Sequence, residues 1–131
     1  MFDRLWIDGP PAWVIGMASL FVRIDLTSGE QIGPGKVDLL EQISERGSIA
    51  AAGRAMGMSY RRAWELVEEL NTTFGRPLVQ SRTGGKSGGG AALTPLGYLV
   101  VGRYRALQKA VDKASQGHLT AIQAELKAKR A

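Results

Sequence analysis

The segment "GSIAAAGRAMGMS", Gly47 to Ser59, restricts the folding options of this chain more than any other stretch. An alanine-rich run lies between two glycines and is followed by a second serine two residues past Gly57. Alanine is the strongest helix former, Ser48 can accept an unpaired backbone N–H at the helix start, and Gly57 can end the helix. Small alanine side chains also let a second helix approach closely. Stripes on either side supply candidates. "KVDLLEQISERG" places Val37, Leu39, Leu40 and Ile43 at helical spacing and stops at Gly47. "YRRAWELVEELNTTF" opens at Ser59, carries Ala63, Val67, Leu70 and Phe74 on one face, and stops at Gly75. Two helices joined across Gly57 and Met58, the second opening on Ser, Tyr and Arg, predict a helix-turn-helix.

The rest of the chain fits around that pair. "SLFVRIDLTSG" alternates through Leu20, Val22, Ile24 and Leu26 and reads as a strand ending in a turn, with "IGPG" as a further breaker. After Pro77, "LVQSR" reads as a strand, "TGGKSGGG" as a turn and "AALT" as a returning strand. Pro95 suits the first turn of a long helix capped by Thr94, burying Leu96, Leu99, Val100, Leu107, Ala110 and Val111 on one face. Trp64, beside the apolar stripe and one turn into its helix, is expected in the core. The fold class is therefore mainly α with a small β component. Its expected form is a winged helix-turn-helix of one strand, three helices, a two-stranded wing and a long C-terminal dimerisation helix. The expected divisions are an N-terminal arm over 1–19, the winged helix-turn-helix over 20–94, the dimerisation helix over 95–115, and a polar, basic, weakly helical tail over 116–131.

Composition excludes several function classes. The sequence of 131 residues has no cysteine, so disulfides and thiolate chemistry are absent, and one histidine (His118) cannot form a His-based zinc site. No metal or cofactor is expected. "PPAWVIGMASLFV" is too short and too interrupted to span a bilayer, and nothing resembles a signal peptide, so a cytoplasmic protein with no membrane partner is expected. The net charge is +5, unevenly spread. Residues 1–33 hold two basic and four acidic side chains, whereas 95–131 hold seven and two. The positive half is the one that contains the glycine loop, which is compatible with a polyanionic partner.

In a helix-turn-helix the first turn of the second helix enters the major groove of duplex DNA. Here that turn offers Ser59, Tyr60, Arg61 and Arg62, followed by Glu65. Arg61 points away from the apolar stripe and can fork onto guanine, while Ser59 and Tyr60 suit phosphate oxygens. Glu65, Glu68 and Glu69 would repel phosphates, so only the first turn approaches DNA. Ser48, Ile49 and Ala50 open the preceding helix. The glycine loop invites two other readings. "GKS" at 85–87 ends like a phosphate-binding loop, but Gln80 stands where the first glycine must be and strand follows instead of helix. "GKSGG" matches G-x-S-x-G, yet the multi-stranded parallel sheet behind such a nucleophile does not fit in this chain. A hairpin directly after the helix pair reads instead as a wing, with Arg82, Thr83, Gly84, Gly85, Lys86 and Ser87 toward the DNA backbone.

The stretch from Gly47 to Gly97, above all "GMSYRRAW" and the glycine-rich wing, resembles the N-terminal DNA-binding domain of the ModE family of molybdate-responsive regulators, winged helices related to the LysR type. The resemblance runs from about residue 20 to about 111. It implies a homodimer paired through the helix after the wing, with Leu96, Leu99, Val100, Arg103, Leu107 and Val111 at the interface, and two recognition helices on a palindromic operator. The apolar face of that helix, longer than one small core can cover, agrees unless the N-terminal strand covers it. Full-length family members continue into molybdate-binding modules. No "SARN"-type oxyanion motif occurs here, so molybdate sensing by this polypeptide is not expected. The chain then regulates constitutively, takes its signal from a separate molybdate-binding or regulatory protein, or is a fragment. Met1 and the ordinary tail point to a complete chain. A non-specific nucleoid-type DNA binder and a protein-interaction module on the same fold are the alternatives.

Overall fold

A computed structural model of the protein describes residues 20–82 and 90–130. It opens on a small hairpin, β1 (Ile24–Asp25) paired antiparallel with β2 (Gln31–Ile32). Three helices follow: α1 (Pro34–Arg46), α2 (Ile49–Ala55) and α3 (Tyr60–Phe74). A second antiparallel hairpin, β3 (Val79–Arg82) with β4 (Gly90–Leu93), leads into α4 (Pro95–Arg130). This is the winged helix-turn-helix order, with one addition at its start. The "IGPG" breaker holds a strand residue: Ile32 pairs with Ile24 and is buried. The turn between them is closed by Leu26 and Glu30, which the alternation of residues 20–26 did not reveal.

The helix ends are set by local chemistry. Pro34 opens α1 instead of preceding it, because the first helical position has no use for its missing N–H. The Ser48 hydroxyl accepts the Ala51 N–H at 3.0 Å, and the Ser59 hydroxyl accepts that of Arg62 at 3.1 Å. Gly47 and Gly75 close α1 and α3 in the left-handed conformation. The core lies where the three helices meet the wing: Val37, Leu39, Leu40 and Ile43 of α1, Ala63, Leu66, Val67 and Leu70 of α3, and Leu78 are essentially solvent-free. Alanine does the work expected of it, since Ala52 is fully buried and Gly53 packs against Ala63.

Helix α4 is longer and less covered than the sequence suggested. It runs unbroken to Arg130, through the segment expected to be weakly helical, and at 1.5 Å per residue its 36 residues span about 54 Å. Its composition of Ala, Gln, Lys, Glu and Leu carries it past Gly117, which costs roughly 1 kcal/mol relative to alanine. Thr94 caps it as anticipated, accepting the Gly97 N–H. Val100 and Tyr104 are buried against the body, but from Ala106 to Leu126 no residue is. Leu99, Leu107 and Ala110, expected on the buried face, are exposed.

Polar contacts fasten the root of α4. The Tyr104 hydroxyl donates to the Val22 carbonyl at 2.7 Å, and burial pushes its pKa up to about 12. The Arg105 guanidinium donates to both Asp38 and Glu41 of α1. Burial holds the Asp38 carboxyl above its ordinary range, against the lowering pull of Arg105, while neighbouring Glu41 adds to the rise. An aspartate raised in the folded state contributes stability at low pH that is lost as pH rises through its folded value. Removing Arg105 leaves that carboxylate without its partner and raises it further. Arg105→Met is therefore expected to cost about 1–3 kcal/mol at neutral pH, less than for a fully buried pair because these side chains are partly solvated. Denaturant unfolding should show the deficit shrinking as pH falls toward about 4. A deficit independent of pH would mean that Arg105 contributes by packing alone.

Candidate nucleic-acid interface

The interface is built on the first turn of α3. Four residues, Met56 to Ser59, connect α2 to it, with Met58 N–H bonded back to the Gly53 carbonyl at 2.9 Å. The cap at Ser59 aims that turn outward. Tyr60 is exposed, and the Arg61 side chain, two residues before buried Ala63 and roughly 160° around the helix from it, is 88% exposed. Its ion pair among the described residues is with Glu65, at 3.3 Å. Arg62 turns to the other flank, half-buried over a cleft with Phe21, Lys36 and Glu69. The two arginines thus occupy different faces, and Lys36 there is already paired with Glu69 at 3.3 Å.

The wing is fastened to the opposite flank of α3. The Asn71 side-chain oxygen accepts the N–H groups of Leu78 at 2.8 Å and Val79 at 3.4 Å, and its amide donates to the Val79 carbonyl. Thr94 holds the returning strand, its N–H on the Leu78 carbonyl and its hydroxyl on that of Pro77. Between helix and wing runs an open groove of about 430 Å³. Tyr60, Trp64, Val67, Glu68 and Asn71 of α3 line it, with Gln80 and Arg82 of the wing and Ser48, Ile49 and Ala50 at the start of α2.

While Arg62 lies over the other cleft, each of the three sets singled out in the sequence contributes at least one described residue to this groove. Ser48, Ile49 and Ala50 with Tyr60 and Arg82 line it, and Ser59 and Arg61 stand at the start of the same helix. Thr83, Gly84, Gly85, Lys86 and Ser87 lie outside the described residues, as does the arm over 1–19. Glu65 and Glu68 follow Arg61 on the outward face, leaving it cationic only at its first turn. Trp64 requires a correction. It is 45% exposed, not a core residue, because it lies roughly 100° from Ala63, past the edge of the stripe and over the groove. Its position one residue beyond Ala63 carried that signal. Asn71, the fastening for the wing, was not singled out, although a lone amide beside an apolar stripe is the available cue.

On α4, Val100 is buried, Leu96 and Val111 are half-buried, and Leu99, Arg103 and Leu107 are exposed. Leu99 (58%), Leu107 (41%), Ile122 (68%) and Leu126 (51%) leave large apolar side chains open along this helix. Among the described residues no helix is long and apolar enough to cross a membrane, and none of their His, Asp and Glu side chains cluster in a metal-holding group.

Residues 35–98 match the family described as bacterial regulatory helix-turn-helix protein, lysR family. The chain is similar to the molybdenum-pterin-binding protein MopB of Rhodobacter capsulatus, at 42% identity over 66% of this chain and 32% of that one. It is also similar to the DNA-binding transcriptional dual regulator ModE of Escherichia coli K12, at 36% identity over 74% of this chain and 37% of the relative. The chain thus spans about a third of the length of these relatives. In solved structures the fold is that of CbnR_DBD, from a complex with DNA, with a TM-score of 0.52 and 17% identity, covering 66% of this chain and 94% of the other. The family match falls on the helices and turn that the geometry singles out, so residues 35–98 are a LysR-type regulatory helix-turn-helix domain, of the kind carried by the ModE family.

Proposed function

We propose that the protein is a transcriptional regulator that binds a two-fold symmetric site on double-stranded DNA as a homodimer, without catalysis. One observation carries this: the serine-capped, outward-facing first turn of α3, with Arg61 uncovered, shares a groove with the wing and the start of α2. A single surface can then reach base edges and phosphates together. Arg61 reads a base edge; Ser59, Tyr60, Ser48 and Arg82 serve phosphates, and Lys86 extends the wing contact. The exposed apolar residues of α4 join two copies, and the protein acts in the cytoplasm. The likeness to the molybdenum-related relatives covers about a third of their length, and the effect of molybdate is put to the test directly.

Selection of bound duplexes from a random pool, with and without molybdate, tests this. A two-fold symmetric consensus unchanged by molybdate is expected. The selected and random duplexes are then titrated across salt. The selected one should bind about a thousandfold tighter or more at physiological salt. Equal affinities and equal salt slopes would make the protein a non-specific, nucleoid-type binder, and no binding to either would leave a protein-interaction module.

A further inference from the structure

The wing touches the helix-turn-helix at one point where two main chains meet without a side chain between them. The Ala91 N–H of β4 donates to the Gly47 carbonyl, at the end of α1, at 2.8 Å. A Cβ on Gly90 would stand 2.6 Å from that same carbonyl oxygen, closer than real Cβ atoms come, and backbone cannot move aside cheaply. Across the wing, Arg82 is the register partner of Gly90. Its guanidinium folds over the bare Gly90 onto Gly47: a Cβ on Gly47 would meet Arg82 Nη2 at 2.9 Å, and one on Gly90 would lie 3.6 Å from the same nitrogen. The cation thus rests at the C-terminal end of α1, where the helix dipole favours positive charge. None of its N–H groups is hydrogen-bonded to a described residue, and the side chain is exposed beside the groove.

We infer that Gly90 and Gly47 are positioning residues: together they seat the wing on the α1–α2 turn and hold the Arg82 guanidinium, donors outward, as a preset phosphate ligand. A long arginine normally gives up much rotamer freedom when it engages phosphate. Here the missing side chains at 47 and 90 form the slot that holds it beforehand. The wing and the recognition helix then meet a duplex as one rigid unit, with the spacing between them set by the Gly47–Gly90 contact. No function is assigned to either glycine by the motif itself, in which Gly47 appears as a helix stop and Gly90 as one glycine of a loop.

This inference rests on the DNA-binding reading, and its test separates the two. In the wild type, Arg82→Ala should lower affinity for the selected duplex several-fold and reduce the salt slope by about one ion. In a Gly90→Ala background, itself weakened by a similar factor, Arg82→Ala should cause no further loss. Gly47→Ala meets the flexible end of Arg82 and also strains the left-handed backbone at 47 (φ +79°), so it is read once circular dichroism shows it folded; there it displaces the guanidinium and should cancel the Arg82 effect in the same way. Full, additive Arg82 losses in either folded background would overturn the proposal. Amide exchange needs no variant: the Ala91 N–H should exchange as slowly as the core of α3, and fast exchange in the folded protein would overturn the joint itself. If the wild type binds no duplex, the DNA reading and the proposed role fall together, while the exchange result still reports on the joint.

Discussion

Leu107→Glu together with Val111→Glu should turn the proposed dimer into a monomer and reduce affinity for a two-fold symmetric duplex by about a hundredfold or more. Leu107 is 41% exposed and Val111 only half-buried, and neither belongs to the buried core, so the change spares the fold of one copy. In the proposed dimer, what it removes is the reason for two copies to associate. Leu99, Ile122 and Leu126 extend the same uncovered helix, and burying such side chains against a second copy contributes about 25 cal/mol per Å². Linked recognition helices bind the second half-site at high effective concentration; separated ones do not. The checks are sedimentation equilibrium for mass, circular dichroism for the fold, and titration of full and half-site duplexes. Half-site affinity should change little. A double variant that stays dimeric, or a wild type that is already monomeric at micromolar concentration, would remove the α4 face from the interface.

Arg61→Ala carries the second large expectation. Its side chain is the most uncovered cation whose exposure bears on the recognition turn, and its pairing with Glu65 is an exposed i,i+4 contact worth only a few tenths of a kcal/mol. Removing it therefore leaves stability nearly unchanged. A guanidinium forked onto a guanine edge is worth about 1–3 kcal/mol of base discrimination, so the preference at one position of each half-site should fall roughly ten- to a hundredfold. Affinity for random duplexes should drop only by about what one phosphate contact contributes. Repeating the duplex selection with the variant reads this directly. An unaltered consensus would move sequence reading elsewhere, with Arg62, half-buried on the other flank, the least suited to take it over.

Much of this fold was written in signals that act over three or four residues. Ser48, Ser59 and Thr94 cap helices wherever the chain folds, because a hydroxyl beside unpaired N–H groups needs no distant partner. Gly47 and Gly75 end helices for an equally local cause, a backbone conformation that costs other residues more. Periodicity then placed Ala63, Val67 and Leu70 correctly in the core, and composition with breakers was enough for the wing. The errors fall where local signals were balanced. "IGPG" could break or begin an element, and Trp64 stood at the margin of a stripe, where a bulky aromatic goes to whichever neighbour covers it.

Chain order alone was enough to establish the helix-turn-helix, its caps and the outward aim of Arg61, since each depends on residues within one or two turns of the next. Folding in space brought together what lies far apart along the chain. Asn71 reached Leu78 and Val79, Arg105 reached Asp38 and Glu41, and the wing settled on Gly47 through Gly90 and Arg82. It also left α4 without a buried residue from Ala106 to Leu126, because the body of the domain is too small to follow a helix of about 54 Å. Caps and periodicity are properties of a short window, whereas a close approach of two main chains depends on every element that packs between them.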